Sequence, residues 1–326
     1  MQQTQLKTTQ LGQTGLEITR VGFGAWAIGG GGWDFGWGPQ EDEESIQTIR
    51  RALELGVNWI DTAAAYGFGH SEQVVGRALA GLQRRPYVFT KASLVQGPGG
   101  GVVNNLKRDS ILREAEGSLE RLGVDAIDLY QIHWPIPEGD VQEGWSALAE
   151  LKEQGLVRHI GVSNFDVAQL RRIQQIAPVE TLQPPYSLIA REVEDEILPF
   201  TEREGMGVIA YSPMGSGLLT GAMTQERIKG LPGDDWRRNS ARFQEPQLSR
   251  HLAVVERLKV VAARLDTTPG AVAVAWALRN PAVDGAIVGF RRPDQVGSIL
   301  DAGGLELSDT DVAEIENVSQ PAEETL

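Results

Sequence analysis

One pattern constrains the fold of this chain more than any other. Eight short, apolar, β-rich runs recur along its length, and each is followed by a stretch of helical character. The runs are residues 21–24, 58–61, 87–91, 127–133, 157–163, 180–183, 207–211 and 286–289. The intervening periodicity predicts helices over 40–55, 71–82, 107–122, 144–154, 166–176 and 194–204, a longer helical region over 248–279, and a last helix over 293–302. In the first of these, Ile46, Ile49, Ala52, Leu53 and Leu55 fall roughly on one face, as an amphipathic helix requires. Strands that alternate with helices demand parallel pairing and right-handed crossovers. Eight is the number that closes a barrel, and 326 residues suit one such domain. The predicted fold class is therefore α/β, a (β/α)8 TIM barrel spanning residues 1–326 as a single domain. A β-hairpin precedes it over residues 8–18 around the turn Gly12-Gln13-Thr14-Gly15, and long loops crown the C-terminal face. A doubly wound dinucleotide fold would need a Gly-x-Gly-x-x-Gly turn running from the first strand into a helix. Here Gly22-Phe23-Gly24-Ala25-Trp26 opens into a loop rich in tryptophan and glycine instead.

Bulk properties exclude several classes. A formal net charge of −14 argues against nucleic acid or an anionic membrane as partner, because both need clustered lysine and arginine. The chain has no cysteine, which removes disulfides, thiolate nucleophiles and cysteine-based metal sites. Its four histidines, His70, His133, His159 and His251, form no close-spaced ligand pair, so no metal is predicted. The N-terminus lacks an apolar leader region and no run is long enough to span a bilayer, so a cytoplasmic location is expected.

In a closed barrel the C-terminal ends of all strands converge on one face, and residues far apart in sequence become neighbours. Asp61 ends the second run, Tyr66 follows it, Lys91 ends the third and His133 ends the fourth. Singly, each has an ordinary structural explanation, but four polar residues on three successive strand ends form a site. Their chemistry suits proton donation to a carbonyl oxygen that is taking up hydride. A tyrosine with a pKa of about 10 is protonated at neutral pH and can act as the acid in reduction. Lys91 supplies positive charge beside the phenol, Asp61 keeps that lysine charged and oriented, and His133 can donate to the substrate oxygen.

Asp61 with Tyr66, the Tyr-Gly-x-Gly-x-Ser-Glu stretch (66–72), Lys91, Gln-Ile-His-Trp-Pro (131–135), Ile-Gly-Val-Ser-Asn-Phe (160–165), Gln183 and the run from Tyr211 to Gly221 together resemble the aldo-keto reductase family, in that family's order. The resemblance covers about 11–302. It implies a TIM barrel that binds NADP(H) without a Rossmann domain, with Asp61, Tyr66, Lys91 and His133 as the catalytic tetrad. By the same matching Ser163, Asn164 and Gln183 hold the nicotinamide carboxamide, Tyr211 stacks on the ring, and Gly24, Trp26 and Asp61 border it. The backbone of Ser212, Pro213, Met214, Gly215, Ser216, Gly217 and Leu219 is expected to cradle the pyrophosphate, where glycines allow close approach of N–H groups. Gly289, Arg291 and Gln295 match the adenosine end, with Arg291 taking most of the 2′-phosphate and Phe290 offering an apolar surface. The family pattern is altered here: Gly289-Phe290 stands where many members carry Lys-Ser, and Ser298-Ile299 where they carry Glu-Asn.

Trp26, Trp33, Trp37 and Trp134 are expected to wall the substrate pocket beside Tyr66 and His133, and the loops 29–39 and 215–246 to act as lids. The implied activity is NADPH-dependent reduction of aldehydes and ketones. Two alternatives remain: an NADP-dependent alcohol, polyol or sugar dehydrogenase, and a cofactor-binding regulatory subunit like the β subunits of potassium channels. Aromatic walls do not choose among small aldehydes, sugars and ketones.

Overall fold

The computed structural model describes residues 6–319. Eight strands form a closed parallel barrel: β1 (Val21–Gly24), β2 (Trp59–Asp61), β3 (Tyr87–Ala92), β4 (Ile127–Ile132), β5 (Val157–Ser163), β6 (Thr181–Gln183), β7 (Gly207–Tyr211) and β8 (Gly285–Gly289). Each strand pairs with its neighbours in sequence, and β8 closes on β1. The expected hairpin is present, with Thr8–Gln10 antiparallel to Glu17–Thr19.

The barrel interior is a packed core. Trp59, Phe89, Leu129, Ile209 and Ile287 meet inside it, and Leu11, Leu16 and Ile18 of the hairpin plug the end opposite the site. Trp59 is the largest of these and is fully buried; its indole N–H donates to the Thr19 carbonyl at 2.8 Å. Its ring dictates glycine next door: a Cβ on Gly22 would lie 2.1 Å from it. Around the barrel, helices bury their apolar stripes against the strands. The 248–279 region proves to be two helices, Gln247–Arg264 and Pro269–Leu278. Asp266 between them adopts a φ of +51°, and Thr268 caps the second with Pro269 at its first position.

Among the described residues, several elements are additional to those expected, including a helix at Gln225–Lys229 and short 3-10 turns. A short hairpin, Leu94–Gln96 with Val102–Asn104, follows β3, and a helix at Asp309–Ser319 packs on Gln247–Arg264 through ion pairs of Arg264 with Asp311 and Glu314. Among the described residues no helix is long and apolar enough to cross a membrane.

Candidate active site

The tetrad converges as strand-end geometry requires. Asp61 is the last residue of β2, Lys91 the penultimate residue of β3, and His133 follows β4 directly. Lys91 Nζ, wholly buried, donates to Asp61 Oδ1 at 2.6 Å and to the Thr62 carbonyl at 2.8 Å, and it lies 3.4 Å from Tyr66 Oη. The second oxygen of Asp61 accepts from Gln183 Nε2 at 2.9 Å. Burial pushes the Asp61 carboxyl up and the Lys91 ammonium down, and in each the partner's charge opposes the effect. The ion pair thus sits behind the phenol as a fixed dipole. Burial, then the Asp61 charge, hold Tyr66 well above the ordinary tyrosine range, so it is a phenol at any physiological pH. Burial and the positive Lys91 push His133 well below the usual imidazole range, so it is neutral.

His133 Nδ1 is buried and has no partner among the described residues. A buried N–H without an acceptor costs more than a lone pair of the same atom left facing apolar surroundings, so the proton belongs on Nε2. His133 is then a hydrogen-bond donor toward the cavity that it shares with Tyr66, whose ring lies 5.7 Å away edge to face.

That cavity, of about 950 Å³, is bordered by every residue expected at the cofactor and substrate sites except Lys91, Gly215 and Leu219. Lys91 lies behind it. Ser163, Asn164 and Gln183 form one connected network: Ser163 Oγ donates to the Gln183 carbonyl at 2.8 Å, and Asn164 Nδ2 donates to Ser163 Oγ at 2.9 Å and to the His133 carbonyl at 3.0 Å. Tyr211 Oη donates to Asn164 Oδ1 at 2.8 Å, which fixes its ring at the wall.

The 212–219 segment is a tight coil, with positive φ at Ser212, Gly215, Ser216 and Gly217. Gly215 needs to be glycine, because a Cβ would meet Ile189 Cδ1 at 2.7 Å. The coil turns some amides inward: the N–H groups of Gly215, Gly217 and Leu219 donate to carbonyls of Ser212 and Met214 at 2.9–3.1 Å. Leu219 itself is core. Those three positions therefore shape the cradle and do not present their amides to a ligand.

Of the residues expected at the adenosine end, Phe290 turns into the core, 1% exposed and 5.8 Å from the Phe23 ring, so it offers no outward stacking face. Gln295 caps its own helix, accepting from the N–H groups of Arg291 and Arg292 at 2.9 and 3.2 Å. The Arg291 guanidinium is bound to the loop after β1: Nε to Gln40 Oε1 at 2.7 Å, Nη1 to the Trp37 carbonyl at 2.9 Å and Nη2 to the Pro39 carbonyl at 2.5 Å. Arg292 is exposed and pairs with Asp294 at 3.1 Å.

The loop tryptophans build the opposite wall. Trp26 stacks between Tyr66 (6.2 Å) and Trp236 (5.3 Å), and Trp37 packs edge-on against both Trp26 and Trp236. Trp33 is nearly buried, 6.1 Å from the Tyr66 ring, whereas Trp134 is 39% exposed at the rim. The two long loops meet: the Trp236 backbone N–H donates to the Gly36 carbonyl at 3.1 Å, and the Arg237 guanidinium sits 4.3 Å over the Trp37 ring. Leu94, Val102 and Asn104 of the second hairpin, with Ile136, complete the wall. Sequence reasoning missed that contribution, since three-residue strands leave no readable alternation.

A closed eight-stranded barrel thus carries a buried Asp–Lys pair, a phenol and a neutral imidazole together at the C-terminal ends of its strands. The chain belongs to the Aldo/keto reductase family, whose model matches residues 20–320. It is 38% identical over 316 residues to "Aldo-keto reductase YhdN" of Bacillus subtilis (strain 168), covering 96% of this chain and 93% of the relative. To the "NADH-specific methylglyoxal reductase" of Escherichia coli (strain K12) it is 34% identical over 332 residues, covering 98% of this chain and 100% of that protein. Among solved structures, the glycerol dehydrogenase AKR11B4 from Gluconobacter oxydans superposes with a TM-score of 0.87 at 36% identity, covering 100% and 99% of the two chains.

Proposed function

We propose that this protein reduces aldehydes and ketones to alcohols with a reduced nicotinamide dinucleotide, Tyr66 acting as general acid. The observation that carries this reading is the Tyr66 phenol, held protonated by burial and backed at 3.4 Å by Lys91, in the same cavity wall as the neutral His133. The dinucleotide fits the chain's own groups: a cavity of about 950 Å³ bordered by Ser163, Asn164, Gln183 and Tyr211, the coil of Ser212, Pro213, Met214, Ser216 and Gly217, and the buried imidazole of His133. When bound, it supplies the hydride. Ser163, Asn164 and Gln183 would hold its carboxamide, and Tyr211 would lie against its ring.

The proton travels a short path. Tyr66 Oη gives it to the carbonyl oxygen as negative charge develops there, while His133 Nε2–H donates to the same oxygen and fixes its position. Lys91 stabilises the phenolate that remains, and Asp61 keeps Lys91 in place through a bond that Gln183 shares. The same elevated phenol pKa disfavours the reverse reaction, oxidation of an alcohol, for which the phenolate must form first.

NADP(H) is the proposed cofactor, with Arg292 as the exposed cation beside the 2′-phosphate position. The Asp294 carboxylate on that same guanidinium favours a second reading, NADH, for which the Escherichia coli relative is named. A panel of carbonyl substrates assayed with both cofactors, in the wild type and in Arg292→Ala, decides the matter. Preference for NADPH that disappears in the variant supports NADP(H). A preference for NADH that Arg292→Ala leaves unchanged overturns it, and no turnover of any carbonyl with either cofactor overturns the enzymatic reading.

A further inference from the structure

We propose that Arg291 is a positioning residue that latches the substrate loop to the end of β8, and is not a ligand of the cofactor. Its effect on catalysis rests on the carbonyl-reductase reading above; the latch itself does not.

All three nitrogens of the guanidinium are committed to one turn. Nε meets the Gln40 side chain, and the two terminal nitrogens meet the carbonyls of Trp37 and Pro39. Gln40 answers with Nε2 to the Arg291 carbonyl at 3.0 Å, so the bond runs both ways. Gly38 sits between the two carbonyls with a φ of +77°, and a Cβ there would lie 2.7 Å from Pro232 Cγ. This turn is what aims both carbonyls at one planar fork, a geometry that arginine matches and a lysine ammonium does not. Arg237 and Arg292 face Arg291 with like charge, and Asp235 and Glu44 oppose them.

The turn leads to the phenol through contiguous rings. Trp37 is held between the Arg237 guanidinium at 4.3 Å and the Trp26 ring at 5.2 Å, and Trp26 stacks on Tyr66 at 6.2 Å with an interplanar angle of 24°. Trp26 is fixed in turn by its indole N–H on the Phe35 carbonyl at 3.0 Å, within the same loop. Releasing Arg291 therefore loosens the wall on which the substrate and the Tyr66 ring both lean. The three bonds take the Nε–H and one N–H of each terminal nitrogen, and they hold the guanidinium plane against the turn.

The test uses Arg291→Ala, Arg291→Lys and Gln40→Ala in the full chain. Three quantities are measured: dissociation constants of NADPH and NADH, kcat and KM for a carbonyl substrate, and acrylamide quenching of tryptophan fluorescence in the cofactor-free protein. For Arg291→Ala the latch predicts a KM raised tenfold or more with kcat within about threefold of wild type. It also predicts an unchanged ratio of NADPH to NADH affinity, and at least a doubled quenching constant without cofactor. Arg291→Lys does not rescue, and Gln40→Ala shifts KM and quenching in the same direction by less. The proposal is overturned if Arg291→Ala weakens NADPH tenfold or more while NADH, carbonyl KM and quenching stay put. Failure of the wild type to reduce any carbonyl would remove the proposed function, yet the quenching and cofactor titrations would still judge the latch.

Discussion

Glu114 offers a prediction in which structure sets both sign and size. Its side chain lies largely buried behind β3, where Oε2 accepts the Ser93 N–H at 3.0 Å and Oε1 the Ser110 hydroxyl at 3.1 Å. Ser93 is held at a φ of +89°, two residues beyond Lys91, so the carboxyl braces a strained turn beside the site. Burial, reinforced by Glu72 and opposed by the two hydrogen bonds and Arg121, pushes Glu114 up to about 7 from 4.5. Between those values the folded protein keeps a proton that the unfolded chain has released. Stability therefore falls as pH rises from 4.5 to 7 and is level above that, by about 3 kcal/mol at ~1.4 kcal/mol per pH unit. Glu114→Gln removes the ionisation and keeps the bonds, since its carbonyl accepts from Ser93 and its amide donates to Ser110. Urea unfolding of both proteins from pH 4 to 8.5 is the assay. The two curves should coincide near pH 4 and diverge to a gain of up to about 3 kcal/mol for the variant at pH 8. A variant that is less stable at pH 8, or a gap that does not change with pH, would refute the reasoning.

Two further outcomes follow from other parts of the molecule. Gly22→Ala should lower unfolding free energy by about 3 kcal/mol or more, because its Cβ would lie 2.1 Å from the Trp59 ring inside the barrel; adding Trp59→Leu should recover part of that loss in a double-mutant cycle. If Tyr66 must ionise to oxidise an alcohol, kcat/KM for oxidation should climb with pH through at least pH 9, whereas carbonyl reduction stays flat from pH 6 to 9; a plateau in oxidation below pH 8 would count against the elevated phenol.

Most strand ends were legible in the sequence because all but the first and last apolar runs stop at a polar residue, and Asp61, Lys91, Ser163 and Gln183 lie at the ends of their strands. Helix ends were blurred by a few residues. The first helix begins at Asp42 because Glu41 is still extended and Gln40 is tied to Arg291. The division of the 248–279 region was written in Thr268-Pro269, a cap and first-turn pair that amphipathic periodicity hides. Paired arginines before a helix read as an anion site, and nothing in the sequence shows that Arg291 also faces carbonyls of a loop some 250 positions away. Phe290 is similar: alternation along the strand end turns it inward while Gly289 faces out. Contacts between loops, such as Trp26 on Trp236, leave no periodic trace at all.

On the proposed reading, Tyr66 supplies the proton from a site whose cofactor contacts do not depend on it. Single-turnover hydride transfer to a carbonyl, measured in Tyr66→Phe with the reduced dinucleotide pre-bound, tests this most directly. The phenol's removal should slow the step by about 10³-fold, within the range for a positioned general acid, with cofactor affinity within a factor of two of wild type. Retention of more than a tenth of the wild-type rate would contradict it.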